Sequence, residues 1–258
     1  MRLMKRILSA AAVLALSASL LVGCSSGTAS SVPVSASSAA ESTVSSVEET
    51  ASSAVDENAA AAAQLLNDLT GSYQELWPVI LADEYKQTWL DDCTALVGED
   101  NAEAAFEKLS SMVTGDVYGE DAVKAYANGG GAYFCGFTNS LATLTFDGET
   151  STISGTDKDG NVLFSHAYHY IGMEPVRGLY EFQSDDADSG EFTYFFLAPD
   201  TSAETYHIEF RYGSDAEALS QYDAGEYAYW LASGISTDCD QTMIDNCIEL
   251  FCTENLAG

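Results

Sequence analysis

Basic residues are scarce in this chain. Nine Lys and Arg stand against 40 Asp and Glu in 258 residues, a formal charge of −31. Three of the nine, Arg2, Lys5 and Arg6, fall in the first six residues, so the rest carries 6 bases against 40 acids, or −34. Phosphate contacts need a basic face, and this balance excludes nucleic-acid binding. Histidine is rarer still: His166, His169 and His207 are the full set. No Cys-x-x-Cys spacing occurs, which excludes a thioredoxin-type motif and a zinc ribbon. No apolar run reaches the roughly 20 residues that a membrane-spanning helix needs. Catalytic signatures are missing as well. There is no nucleophile elbow, no His-Glu-x-x-His and no carboxylate pair at a defined spacing. Ser165 and His166 are neighbours, but neighbours on a strand face apart and make no dyad. The chain reads as a binding protein, not an enzyme.

What is present begins with a leader. Arg2, Lys5 and Arg6 form a basic flank, and Ile7 to Val22 is an apolar run broken only by serine. Leu21-Val22-Gly23-Cys24 has the form of a lipobox. Residues 1–23 are then a lipoprotein signal peptide, and Cys24 becomes an acylated N-terminus that holds the protein to a membrane from outside the cytoplasm. Residues 24–58 are rich in Ser, Ala, Val, Thr and Glu, with no aromatic and no basic residue. Such a segment buries too little apolar surface to offset its ordering entropy. It reads as a flexible tether with a reach on the order of 30 Å.

Residues 59–258 hold every aromatic side chain and suffice for one well-buried domain. Ala59 to Leu69, Asp83 to Val97, Asn101 to Val113 and Glu120 to Ala127 have helical patterns, with Asn101 as an N-cap. After Gly129-Gly130-Gly131 the period changes to alternation. Strands are expected at Tyr133 to Phe137, Leu141 to Phe146, Thr150 to Thr156, Val162 to Ile171, Leu179 to Gln183, Phe192 to Leu197 and Tyr206 to Tyr212. Asp147-Gly148 and Asp159-Gly160 are hairpin turns. Helix returns in part over Asp215 to Tyr222 and clearly over Cys239 to Glu254. About seven antiparallel strands with short turns predict a sheet that closes on itself, so as to remove its edges. Besides Cys24 there are five cysteines, Cys93, Cys135, Cys239, Cys247 and Cys252, an odd number that cannot all pair. They read as small buried hydrophobes, with Cys239–Cys247 and Cys93–Cys135 bridges left open.

The stretch Thr205 to Gly213, TYHIEFRYG, carries the chemistry. His207 and Glu209 are two apart, so on a strand they share a face. An imidazole and a carboxylate side by side are two ligands for a borderline cation such as zinc. His166 and His169, three apart, point to opposite faces. Tyr168, Tyr170, Tyr180, Tyr194, Tyr206 and Tyr212 read mainly as core or barrel wall.

The order Gly190-Glu191-Phe192-Thr193-Tyr194, Ala198-Pro199, YHIEFRYG, Trp230 and a C-terminal helix resembles the ZinT family of exported zinc- and cadmium-binding proteins. Val176-Arg177-Gly178-Leu179-Tyr180-Glu181 and the acidic turn after it fit the same likeness, which spans about Leu69 to Leu256. The resemblance implies a lipocalin-like antiparallel β-barrel with N- and C-terminal helices, and a metal site at the barrel mouth built chiefly from three histidines. His207 matches the first of the family's His-x-His pair. Glu209 replaces the second, and the loop before Ala198-Pro199 lacks the third. Asp200 or Glu204 is then the candidate for a further oxygen ligand. The reading is a membrane-anchored lipoprotein that binds zinc or cadmium and buffers it, or delivers it to a metal ABC transporter. The alternative is a degenerate barrel that has lost its metal and serves as a small-ligand-binding or interaction module.

Overall fold

The computed structural model describes residues 57–198, 205 and 207–257. The leader, Cys24, nearly all of the 24–58 segment, Asp200 and Glu204 lie outside the described residues. Helix α1 runs over residues 57–68. It is followed by strand β1 (Gly71–Glu75), α2 (Leu76–Ile80), a 3-10 turn (Asp83–Tyr85), α3 (Lys86–Val97), α4 (Glu99–Val113) and α5 (Glu120–Ala127). Then come β2 (Thr143–Asp147), β3 (Thr152–Thr156), β4 (Val162–Met173), β5 (Tyr180–Ser184), β6 (Tyr194–Leu197) and β7 (His207–Gly213). The short α6 (Ala216–Leu219), β8 (Ala232–Ser236) and α7 (Gln241–Leu256) complete the chain.

The eight strands form a closed antiparallel barrel in sequence order, sealed where β8 pairs with β1. This bears out the expected barrel with flanking helices, with two corrections. Tyr133 to Phe137 is not a strand; only Phe134 bridges, to Thr114 and to Trp230. The strand that closes the barrel, Ala232–Ser236, was not expected from the sequence. In addition, α4 begins at Glu99 behind Gly98, and the Asn101 amide donates to the Val97 carbonyl instead of capping the helix.

Registers fix the inside of the barrel. Tyr73 lies opposite Leu144, Ile153 opposite His166, Phe182 opposite Phe195, Phe195 opposite Tyr212, and Phe210 opposite Ala232. These positions alternate with outward ones along each strand, as the pleat requires. The bore is filled by rings: Phe164 stacks on Phe192 at 4.0 Å, and Phe195 packs on Tyr212 at 5.3 Å and on Phe210 at 6.3 Å between centroids. Stacking of this kind adds to the burial of large apolar area.

Both ends of the barrel are stopped. Ala62, Leu65, Leu66 and Leu69 bring α1 into the barrel core. The β2–β3 turn lies against that helix so closely that a Cβ on Gly148 would sit 2.4 Å from the Asn67 Cα; only glycine fits there. At the other end Phe137, Leu141 and Trp230 close the bore, with the Trp230 indole donating to the Gly136 carbonyl at 2.9 Å.

A second core lies outside the barrel. Leu76, Trp77, Ile80, Trp89, Cys93, Leu109, Ile244 and Ile248 come from the helices, and Ile235 joins them from the outer face of β8. So α2, α3, α4 and α7 form a helical layer against the β8 wall. The Trp89 indole donates to the Ile80 carbonyl at 2.7 Å, which satisfies its buried N–H.

Candidate metal centre

Of the proposed ligands the described residues include His207 and Glu209. Both lie on β7, opposite Ile235 and Ser233 of β8. Their partners on the other side of the pleat, Ile208, Phe210 and Tyr212, belong to the barrel core. His207 and Glu209 therefore share a face, as their spacing predicts, but that face is the outer one. The bore takes the apolar set of β7, and His207 and Glu209 lie on the side of the wall where Ile235 of β8 joins the helical layer. Both side chains are half-buried.

The surroundings of the two differ. His207 stands at the start of β7, where its Nδ1 and the Thr205 Oγ1 are 2.6 Å apart. Glu209 lies deeper, close enough to two thiols to influence both. Burial pushes the Cys135 thiol up to about 12, and the negative charge of Glu209 adds to the effect. The Cys247 thiol on α7 is likewise pushed up to about 12, by burial first and by Glu209 second. Both thiols stay protonated at neutral pH and behave as small buried hydrophobes.

The other histidines sit on β4 and face opposite ways, as expected from their spacing. His166 points to the barrel side, level with Ile153, and its Nδ1 lies 2.5 Å from the Asp186 carboxylate. His169 is exposed on the outer side, with Nδ1 2.6 Å from the Asp185 carboxylate. Adjacent aspartates of the β5–β6 connection thus hold the two rings from either side of the strand. Neither ring joins His207. Among the described residues, no three His, Cys, Asp or Glu side chains converge closely enough to hold a metal ion.

A further polar feature is Arg211, next outward on β7 after Glu209 and fully buried. Its guanidinium donates to the carbonyls of Leu219, Gln221 and Tyr227 and lies 4.4 Å from the Tyr222 ring centre. Burial lowers it to about 10, so it remains charged at neutral pH. The Arg177 guanidinium lies 4.2 Å from the same ring. Arg211 ties the 219–227 segment to the wall and is structural. Sequence reasoning missed it, although an Arg two residues after Glu209 on the same strand falls on the same face by the period of two.

Two clefts of the described residues lie outside the bore. One of ≈ 340 Å³ runs between Trp77, Pro78, Leu81, Val113, Phe134 and Cys135, with Glu75 at its side. The Glu75 carboxylate is held by the Phe137 backbone N–H at 2.6 Å. The other, ≈ 370 Å³, lies along Leu141 and Asp157–Asp159.

No family model matches the chain, and no curated protein matches it. Among solved structures it is similar to the Zn(II)-bound ZinT-like domain of AdcA from Streptococcus pneumoniae. That match has 15% identity and a TM-score of 0.45, and covers 71% of this chain and 89% of that one. It is also similar to Zn(II)-bound AdcA from the same organism, with 14% identity and a TM-score of 0.42, over 72% of this chain and 35% of that one. At this identity the likeness is one of fold alone.

Proposed function

We propose that the chain is an extracytoplasmic, lipid-anchored protein that binds a divalent cation on the outer face of β7. His207 supplies a nitrogen and Glu209 an oxygen. Asp200 or Glu204, shortly before His207 in the sequence, supplies a further oxygen. Zinc suits this borderline donor set, and cadmium is the softer competitor. The cation is cargo, buffered or passed to a metal ABC transporter, and Cys24 holds the protein at the membrane. The protein acts by binding, not by catalysis.

The observation that carries this reading is the pairing of His207 with Glu209 on one face, with Thr205 beside the ring. A ligating imidazole commonly engages its second nitrogen with an oxygen, which fixes the tautomer and the ring plane. Thr205 is placed for that task at Nδ1, and Nε2 is then the nitrogen that carries the lone pair.

A second reading has one observation in its favour. Since no three ligands converge among the described residues, the barrel could be a degenerate one used as an interaction module. The ring-filled bore argues against a small ligand held inside it.

Zinc titration by calorimetry separates the two. On the metal reading, the wild type binds at micromolar affinity or tighter. His207→Ala abolishes the binding, and Thr205→Val weakens it by about 10-fold. Equal, weak binding in wild type and His207→Ala would leave only cation attraction to an acidic surface, and the second reading would stand.

A further inference from the structure

Five cysteines lie among the described residues, all as free thiols. Two of them face each other between α3 and α7. The Cys93 and Cys252 sulfurs are 3.9 Å apart, and both residues have 0% exposure. We infer that Cys93 and Cys252 form a disulfide that staples the C-terminal helix to α3.

The geometry favours this bond. A disulfide needs its sulfurs about 2 Å closer than they stand, a shift of the size that side-chain rotations supply. Two contacts on the N-terminal side of the pair hold the helices in register. One turn before Cys93, Trp89 meets Phe251 edge to face at 6.0 Å, and Phe251 precedes Cys252 in the chain. Further along, the Thr88 hydroxyl reaches the Asp245 carboxylate at 3.5 Å. Sequence spacing could not reveal the pair, since 159 positions separate its members.

The oxidant is a small-molecule disulfide. The Cys93 thiolate attacks one of its sulfurs, forms a mixed disulfide and releases one thiol. The Cys252 thiolate then displaces the second thiol and closes the Cys93–Cys252 bond. Two cysteine thiols lose two protons and two electrons, and the oxidant gains them as two thiols. Burial holds both cysteine thiols above the usual range, so attack from the docked state is slow. The bond forms while α7 is still undocked, during folding. Once α7 is seated, the bond lies out of reach of reductant.

The test is to refold the full-length protein in a glutathione redox mixture, alkylate it under denaturing conditions and cleave it after glutamate. Glu84 and Glu99 bound a fragment holding Cys93 alone, and Glu249 and Glu254 bound one holding Cys252 alone. The expected product is fragment 85–99 joined to fragment 250–254, with two thiols lost per chain. Reductant added to the unfolded oxidised chain should restore both. The oxidised protein should melt roughly 5–15 °C above the reduced one, a gap absent in Cys93→Ser. If that variant fails to fold, the linked fragments of the wild type decide the matter alone. Recovery of 85–99 and 250–254 unlinked, or of Cys252 joined to a different cysteine, overturns the inference.

Discussion

Asp92 stands next to Cys93 on α3, with one carboxylate oxygen buried and without a hydrogen-bond partner among the described residues. Its pKa is raised, by burial first and then by the negative charges of Glu249, Asp245 and Asp91. An acid whose folded pKa lies above its unfolded value weakens the fold while it is ionised. The penalty is full above the folded pKa and fades as pH falls through that value toward the unfolded one of 3.8. Asp92→Asn is therefore expected to raise the melting temperature at pH 7 by about 1–2 °C, after allowance for solvent screening. A thermal melt series from pH 7 to pH 4 checks this, because the gain should shrink toward the acid end. A gain that is constant with pH would place its origin elsewhere. At this same scale the candidate site was only half legible. Period-two spacing puts His207 and Glu209 on one face. The side they take follows from their neighbours: Ile208, Phe210 and Tyr212 are the larger apolar set and claim the bore. Arg211, outward with the polar pair, fits that alternation too. What no spacing could reveal is the meeting of residues far apart in the chain, such as Glu209 with the thiols of Cys135 and Cys247.

Elements were legible where their pattern is strong. Helix α5 spans Glu120–Ala127 as expected, and β4 and β7 begin where alternation begins, within a residue. Strand β8 escaped because its residues, Ala-Ser-Gly-Ile-Ser, are small and mostly poor strand formers. The structure explains that composition. Gly234 faces a full bore, and a Cβ there would lie 3.1 Å from the Ile208 Cγ1 and 3.3 Å from the Phe137 ring. Gly234→Val therefore overpacks the seam and should cost about 1–3 kcal/mol in a denaturant melt, although valine is the better strand residue. A stabilised variant would mean that the bore has slack at this level. The missing strand at Tyr133 to Phe137 has a related cause. β8 already takes β1 as its partner from Gly234 onward, so the 134–135 segment borders only the start of β8, through the Phe134 bridge to Trp230 and the Ser233 N–H to the Cys135 carbonyl.

For the whole molecule, composition announced an acidic protein with a real core, and the described residues place its few bases sparingly. Arg211 is buried and Arg177 lies over an aromatic ring, while Lys86 and Lys124 pair with acids at the surface. Such exposed pairs contribute little to stability. Stability rests instead on the two cores, and the barrel core depends on one distant strand pairing. Tyr73 of β1 is opposite Ser236 of β8, so the first strand waits for the last. A chain that stops at residue 231 lacks both β8 and α7 and should lose cooperative unfolding and bind a hydrophobic dye; a sharp melt in that truncation would show that seven strands suffice. Synthesis runs from the N-terminus, so β1 emerges long before its second neighbour exists. The nascent chain must stay open until nearly all of it has been made. That delay carries a hazard: until the last strand arrives, β1 and β7 each keep an unpaired edge that can take a strand from another chain.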